Sequence, residues 1–201
     1  MPKTDPFDVY RTHEWFESLA WQHRWIEYMV GWWCGTYGKP TSMVDYGSGD
    51  GWWPHTFKQI GSETCYAIEL DEVARKHTPA DVYFKQHDLR EPMNDIQGKF
   101  DLVMCLEVAE HLPKQAALNS LLSTLVKSTG NILIFSAAQP GQEGTGHINP
   151  QTQHFWIEAI ERHPYIKLSS ERTAATRRAF ERIVPAGLEF LPRNLLVFAR
   201  L

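Results

Sequence analysis

The sequence predicts a doubly wound, mainly parallel α/β sheet with helices on both of its faces. Short apolar runs alternate with segments of helical periodicity along most of the 201 residues, and this alternation is typical of βαβ units. The segment 100–106 is almost entirely apolar, as expected for a parallel strand that is covered on both faces. Three glycines at alternating positions follow an earlier apolar run, and this spacing predicts a ligand-binding loop at a strand end.

The first predicted element is a helix at about 12–33, because two apolar stripes recur there with a period close to 3.6 residues. Trp21 and Trp25 belong to the second stripe. The helix therefore either packs on two sides or serves as a substrate lid or dimer contact. We expect a single domain, in which a helical cap over 1–40 precedes a core over 41–201.

The remaining elements follow in order along the chain. Strands are predicted at 42–46, 64–69, 82–86, 100–106, 131–136, 165–169 and 195–199. Helices are predicted at 53–60, 71–77, 113–127, 151–162 and 171–183. A polar, glycine-rich loop at 139–149 carries His147, and loops of this kind often act as lids.

Composition limits the classes of function. The apolar fraction of 43% and the charged fraction of 22% are ordinary for a globular protein, and the net charge of −4 argues against a broad nucleic-acid surface. The three cysteines lack metal-ligand spacing, which favours a reducing, cytoplasmic setting. No apolar leader or membrane-spanning run is present. We expect a monomer or a homodimer.

Two classes of cofactor compete for the glycine loop, the dinucleotides and S-adenosylmethionine. Gly47 and Gly49 match the first two glycines of the dinucleotide fingerprint G-x-G-x-x-G, but the bulky Trp52 occupies its sixth position. Asp50 also places a carboxylate where a pyrophosphate would be repelled. The loop thus disfavours an NAD-dependent oxidoreductase and fits an adenosyl ligand that has no phosphates.

Four motifs resemble those of the class I S-adenosylmethionine-dependent methyltransferases. They are Val44 to Gly51, Ala67 to Asp71, Asp88 with Leu89, and Phe100 to Leu112. The resemblance extends over about 43–199 and implies seven strands in the order 3-2-1-4-5-7-6, with the last strand antiparallel. It also implies S-adenosylmethionine as cofactor and S-adenosylhomocysteine as product.

The resemblance assigns roles to single residues. It implies that Glu69 accepts hydrogen bonds from the ribose hydroxyls, that Asp88 and Leu89 contact adenine, and that Leu70 packs on the adenine face. The implied cofactor-binding set is Asp45, Gly47, Gly49, Gly51, Glu69, Leu70, Asp88, Leu89 and Glu107. The alternative for Asp45, Glu69 and Asp88 is helix capping, which is common for acids at strand ends.

Methyl transfer needs a base only if the acceptor loses a proton. His147 and His111 are the candidate catalytic residues near the ends of the fourth and fifth strands, and a capping or surface position is the alternative for His147. We expect no metal. However, Glu107, Glu110 and His111 form an E-x-x-E-H pattern similar to the metal-binding pattern of ubiquinone-type O-methyltransferases, and of small-RNA 2′-O-methyltransferases when a later histidine is present.

The acceptor is the least determined feature. We expect O-methylation of a small-molecule or saccharide-like acceptor, since the net charge disfavours RNA and the chain lacks the N/D-P-P-Y motif of base and glutamine methyltransferases. The arginines of the segment 172–182 either contact an anionic acceptor or are solvated. The predicted substrate-pocket walls are Trp21, Trp25, Trp52, Trp53 and Trp156. The alternatives are a metal-dependent RNA 2′-O- or other macromolecule methyltransferase and a non-catalytic S-adenosylmethionine-binding module.

Overall fold

The computed structural model describes residues 12–93 and 98–201, so the first eleven residues of the predicted cap lie outside the described residues. The described chain contains a seven-stranded sheet in the order β3-β2-β1-β4-β5-β7-β6. The strands are β1 Ser42–Tyr46, β2 Thr64–Glu69, β3 Tyr83–Gln86, β4 Phe100–Leu106, β5 Thr129–Ser136, β6 Ile166–Leu168 and β7 Leu196–Arg200. Only β7 runs antiparallel to its neighbours within this described sheet. The order and the antiparallel strand that the resemblance implies are confirmed.

Helices cover both faces of the sheet. They are α1 His13–Ser18, α2 His23–Tyr37, α3 Trp52–Gln59, α4 Lys114–Ala116, α5 Leu122–Ser128, α6 Gln153–Glu161, α7 Ser170–Ile183 and α8 Phe190–Asn194. A π-helical segment, Ala117–Leu121, separates α4 from α5, so the predicted uninterrupted helix at 113–127 is wrong in this part. The sequence analysis missed α8 because it is only five residues long and contains Pro192.

Two predicted α-helices contain 3₁₀ turns instead of continuous α-helix. The predicted helix at 12–33 is interrupted by a 3₁₀ turn at Leu19–Gln22, where the chain packs against the glycine loop. The predicted helix at 71–77 is a 3₁₀ turn at Glu72–Lys76, and Asp71 caps it by accepting a hydrogen bond from a backbone N–H. Pro79 follows too closely for an α-helix to extend there.

Two clusters of buried side chains form the core, one on each face of the sheet. Ile26, Met29 and Trp33 of α2 belong to one cluster, as the apolar periodicity predicts. Trp156 belongs to the other cluster, where its ring centroid lies 5.4 Å from that of Phe135 and the residue is only 1% exposed. The prediction of Trp156 as a substrate-pocket wall is therefore wrong, because its indole is used to fill the core.

Among the described residues, the helices are all too short or too polar to cross a lipid bilayer.

Candidate active site

The glycine loop lies where the carboxyl ends of β1, β2 and β4 meet. Backbone hydrogen bonds fix its position, since the N–H groups of Gly47 and Ser48 donate to the carbonyl oxygen of Ile68 over 2.8 and 3.1 Å. Gly49 has a φ of +57°, and a β-carbon at this position would lie 2.9 Å from Cδ1 of Leu19. Glycine therefore meets two requirements here, a left-handed backbone and a close approach of the N-terminal segment.

Glu69 at the end of β2 holds the loop through its carboxylate. One oxygen accepts a hydrogen bond from the N–H of Gly49 over 2.9 Å, and the other accepts from the N–H of Leu70 over 2.6 Å. Burial raises the pKa of Glu69, and these two hydrogen bonds oppose the increase. Each carboxylate oxygen has a second lone pair, so these contacts leave acceptor capacity for a ligand hydroxyl.

Asp45 is the most isolated acid of the site. The residue is 2% exposed, and its Oδ1 atom has no hydrogen-bond partner among the described residues. Burial, together with the smaller effects of the nearby Glu69 and Asp50 carboxylates, raises its pKa to about 7. A buried carboxylate without a partner fits a cationic ligand such as an ammonium group.

Asp88 follows β3 and forms an ion pair that the sequence analysis missed. The guanidinium of Arg90 donates to both carboxylate oxygens of Asp88, with distances of 2.9, 2.9 and 2.6 Å. Burial acts to raise the pKa of Asp88, but the hydrogen bonds and charge of Arg90 outweigh it and lower the pKa. The available sequence signal for this ion pair was that Arg90 lies two residues after Asp88. The predicted adenine contact of Asp88 therefore involves an acid that Arg90 already engages.

A pocket opens beside these acids at the carboxyl edge of the sheet. Its lining residues are Trp15, Gly47, Glu69, Leu70, Asp88, Leu89, Arg90, Glu107, Val108, His111 and Leu112. The structure thus brings seven of the predicted site residues together around one cavity, among them Glu107 and His111. Trp15, which the sequence analysis did not select, belongs to the predicted N-terminal helix.

The predicted tryptophan walls do not line this pocket. Trp21 is 51% exposed, and Trp25 and Trp53 pack against the core cluster that contains α2. Trp52 stacks on the imidazole of His23, with ring centroids 3.7 Å apart. Helical periodicity places these side chains on a face of the helix but does not indicate which aromatic residue reaches a cavity.

His23 links the N-terminal helices to the glycine loop. Its Nε2 atom lies 2.6 Å from Oδ2 of Asp50, whose other oxygen accepts a hydrogen bond from the N–H of Trp52 over 3.2 Å. Asp50 is 8% exposed. Its carboxylate therefore fixes the relative position of α2 and the start of α3.

Glu107 follows β4 with a φ of 55°, a left-handed conformation that is uncommon for a residue other than glycine. Its carboxylate accepts hydrogen bonds from the side-chain amides of Asn194, over 3.2 and 3.1 Å, and Gln142, over 3.4 Å. Burial raises its pKa. Sequence reasoning missed both amides, which are distant from Glu107 along the chain.

His111 and His147 lie next to each other, with ring centroids 5.0 Å apart. The Nδ1 atom of His111 faces the carbonyl oxygen of Gly146 at 3.2 Å, and that of His147 faces the carbonyl oxygen of Gln142 at 3.1 Å. A carbonyl oxygen only accepts, so the Nδ1 atom of each ring carries a proton. Burial lowers the pKa of His111 to about 4, and the imidazole is therefore neutral near pH 7.

Glu110 completes a three-residue group with the two histidines. One ligand atom from each of Glu110, His111 and His147 lies within 4.8 Å of the other two. Burial, and then the charge of Glu107, raises the pKa of Glu110 well above its ordinary range. The alternative metal site in the sequence analysis consisted of Glu107, Glu110 and His111 and did not include His147. Within the described residues, the geometry instead groups His147 with Glu110 and His111.

Sequence comparisons relate the chain to known methyltransferases. The sequence model of the family described as "Methyltransferase domain" matches residues 12–182. The ubiquinone biosynthesis O-methyltransferase of Acinetobacter baylyi is 29% identical over 116 residues, which make up 54% of this chain and 46% of that protein. The chain spans about half the length of the curated relatives it matches.

Two solved structures share the fold. CalS10, an amino pentose methyltransferase from Micromonospora echinaspora with bound S-adenosylmethionine, superposes with a TM-score of 0.64 at 15% identity over 92% of this chain and 96% of that chain. The magnesium protoporphyrin IX methyltransferase of Synechocystis PCC 6803 with bound S-adenosylhomocysteine superposes with a TM-score of 0.61 at 18% identity over 90% and 84% of the two chains. At these identities the similarity concerns the fold.

The isolation of Asp45 predicts a pH-dependent stability of the unliganded protein. Its pKa rises from 3.8 to about 7 on folding, so its stabilising contribution is fully present below about pH 4 and is lost as the pH rises to about 7. Each pKa unit corresponds to about 1.4 kcal/mol, and the full effect is on the order of a few kcal/mol. Urea unfolding measures this effect. Between pH 5 and pH 8, we expect the free energy of unfolding of the wild type to fall by more than that of Asp45→Asn. Parallel pH profiles of the two proteins would contradict this expectation.

Proposed function

The chain belongs to the class I S-adenosylmethionine-dependent methyltransferases, and from this premise we propose that it methylates a hydroxyl group of a small-molecule or saccharide-like acceptor. The family match over residues 12–182 gives the enzyme class, and the structural relatives with bound S-adenosylmethionine or S-adenosylhomocysteine support the cofactor. The observation that carries the acceptor proposal is the histidine pair His111 and His147 beside the cofactor pocket. The relatives named as ubiquinone biosynthesis O-methyltransferases support an oxygen acceptor.

We assign the cofactor contacts according to the geometry of the pocket. Glu69 binds the ribose hydroxyls with the acceptor capacity that its two backbone contacts leave. Leu70 packs on adenine, while Asp88 and Leu89 contact its edge. Asp45 pairs with the ammonium group of the methionine end, a role supported by the Oδ1 atom that has no partner among the described residues.

The residues of the chain contribute positioning and one proton transfer. Bound in this pocket, S-adenosylmethionine would supply an activated methyl group, whose bond to sulfur would break as its bond to the acceptor oxygen forms. His147 accepts the hydroxyl proton at Nε2, since its Nδ1 proton is held by the carbonyl oxygen of Gln142. Neutral His111 lies beside His147 and does not add a second positive charge. The pocket walls hold the reactants in line, which supplies much of the rate enhancement.

A second candidate function is metal-assisted O-methylation, and the grouping of Glu110, His111 and His147 favours it. Two imidazoles and a carboxylate suit Mn²⁺ or a similar divalent cation. A cation bound there would lower the pKa of an acceptor hydroxyl, and the two histidines would then be ligands. The methyltransferases that act on the 2′-oxygen of RNA belong to this alternative, which the net charge of −4 disfavours.

Three broader features remain proposals. We propose one domain with a helical cap over 1–40 and a core over 41–201. The three cysteines form no disulfide in the described structure, which supports a reducing, cytoplasmic environment. A monomer or a homodimer remains the expected assembly.

Cofactor binding is tested by the substitution Glu69→Gln. The change keeps the size of the side chain but removes the charge that accepts from both ribose hydroxyls, so we expect S-adenosylhomocysteine to bind about 10- to 100-fold more weakly. Isothermal titration and the ligand-induced rise in Tm measure the effect. The control is Glu72→Gln, because Glu72 is exposed and pairs only with Arg75 at the surface among the described contacts. Equal affinity of Glu69→Gln and wild type would refute the assignment.

The acceptor class is tested by transfer of a labelled methyl group from S-adenosylmethionine into separated small-molecule, glycan, RNA and protein fractions. We expect label in a polar small-molecule or glycan fraction, bound through an alkali-stable ether. Addition of a chelator leaves the rate unchanged if His147 acts as the base and abolishes transfer if a metal is required. Label confined to RNA or protein would overturn the proposed acceptor, and no transfer into any fraction would favour a non-catalytic binding module.

The role of His147 is tested through Gly144. A β-carbon at Gly144 would overlap the imidazole of His147, which must then leave its position. We expect Gly144→Ala to lower methyl transfer by at least about tenfold, and His147→Ala by about 100-fold, which is the usual contribution of a positioned base. The Tm of Gly144→Ala should stay close to that of the wild type, since the displaced ring lies on a loop. Gly35→Ala is the control, because nothing lies within 4 Å of the added carbon in α2. Full activity of Gly144→Ala would contradict the proposal.

A further inference from the structure

The register of three neighbouring strands brings Asn194 to the active-site edge of the sheet. Leu106, the last residue of β4, pairs with Ser136 of β5, and Phe135 of β5 pairs with Leu196 of β7. Glu107 is the next residue after β4, and Asn194 ends α8 two residues before Leu196. The side chains of Glu107 and Asn194 meet there, although 87 positions separate them in sequence.

The side chain of Asn194 uses both of its polar atoms in this region. Its Nδ2 atom donates to both carboxylate oxygens of Glu107, over 3.2 and 3.1 Å, and to Oε1 of Gln142 over 2.9 Å. Its Oδ1 atom accepts from Nε2 of Gln139 over 3.1 Å. We call these four residues, Glu107, Gln139, Gln142 and Asn194, the amide clamp.

The amide clamp connects the end of β4 with the loop 139–149. Gln142 contacts Asn194 through its side chain and His147 through its backbone carbonyl, which lies 3.1 Å from Nδ1 of His147. The loop is also held at its other end, because the N–H groups of Ile148 and Asn149 donate to the carbonyl oxygen of Glu110 over 3.0 and 2.9 Å. The position of His147 therefore depends on contacts at both ends of the loop.

Asn194 is not required to cap α8. The N–H of Leu195 already closes the last turn by donating to the carbonyl oxygen of Leu191. Within the described residues, all side-chain hydrogen bonds of Asn194 go to Glu107 or to the loop. The residue is 1% exposed, so its amide must find protein partners. An apolar residue would fill this space equally well if packing were the only requirement.

We propose that Asn194 is a positioning residue that closes the loop 139–149 over the acceptor and fixes the carboxylate of Glu107 beside it. This role rests on the proposed function, since it acts through the loop that carries His147. The hydrogen bonds of Asn194 with Gln139 and Gln142 hold the loop in this position beside Glu107. Asn194 itself does not touch the reacting atoms.

Hydrogen exchange of the 201-residue chain loaded with S-adenosylhomocysteine tests the clamp. Asn194→Asp replaces the donor with a second carboxylate, and we expect the backbone amides of 139–149 to exchange about tenfold faster. The double variant Asn194→Asp with Glu107→Gln restores an amide–carboxylate pair in the reverse direction, and exchange should return to within about threefold of the wild type. Asn119→Asp, at an exposed position, is the control.

Two results would overturn the proposal. One is unchanged exchange of the loop in both Asn194→Asp and Gln142→Ala, of which the second alters only the loop and should not impair folding. The other is the absence of rescue in the double variant, which would indicate that Asn194 serves packing alone. We expect turnover with labelled S-adenosylmethionine to fall by a larger factor in Asn194→Asp than the affinity for S-adenosylhomocysteine does, because Asn194 holds both Glu107 and the loop that carries His147. A wild type that transfers no methyl group would refute the proposed function, while the exchange experiment would still decide the clamp.

Discussion

Parallel pairing of β1 with both β2 and β4 concentrates acidic side chains at one edge of the sheet. Asp45 lies in β1, Glu69 ends β2 and Glu107 follows β4. Burial raises the pKa of all three carboxyl groups, and that of Asp45 rises further because Glu69 and Asp50 lie nearby. Like charges that have lost their water are unfavourable unless a proton or a cation compensates them. The register that forms the site therefore also makes the unliganded edge less stable, and under the proposed assignment an ammonium group beside Asp45 would relieve this cost.

The N-terminal segment also packs against the glycine loop at this edge of the sheet. Leu19 lies over Gly49, and Trp15 joins the lining of the cofactor pocket. The contact between His23 and Asp50 ties α2 to the same loop. One predicted helix thus has two functions, because α2 fills the core on one face of the sheet while the residues before it form a wall of the pocket. A 3₁₀ turn at Leu19–Gln22 separates these two parts.

The sequence predicts local features better than long-range ones. The glycine loop, Glu69 and the seven strands follow from motifs and periodicity, and their order follows from the family resemblance. The prediction of tryptophan pocket walls was wrong because periodicity indicates the face of a helix but not the neighbours of an aromatic ring. Trp156 is buried in the core, whereas Trp15 lines the pocket. The contact between Glu107 and Asn194 has no sequence signature, since only the register of β4, β5 and β7 brings the two residues together.

The left-handed conformation of Glu107 explains how the short segment 107–110 contacts both ends of the loop 139–149. A φ of 55° costs a residue with a side chain about 1–2 kcal/mol relative to ordinary backbone. The hydrogen bonds that its N–H makes with Ser136 and its carboxylate makes with Asn194 offset this strain. The turn directs Glu107 towards the amides, and the 3₁₀ turn that follows presents the carbonyl group of Glu110 to the far end of the loop. A substitution in this segment would therefore alter the pocket that Glu107 lines and the loop 139–149 together.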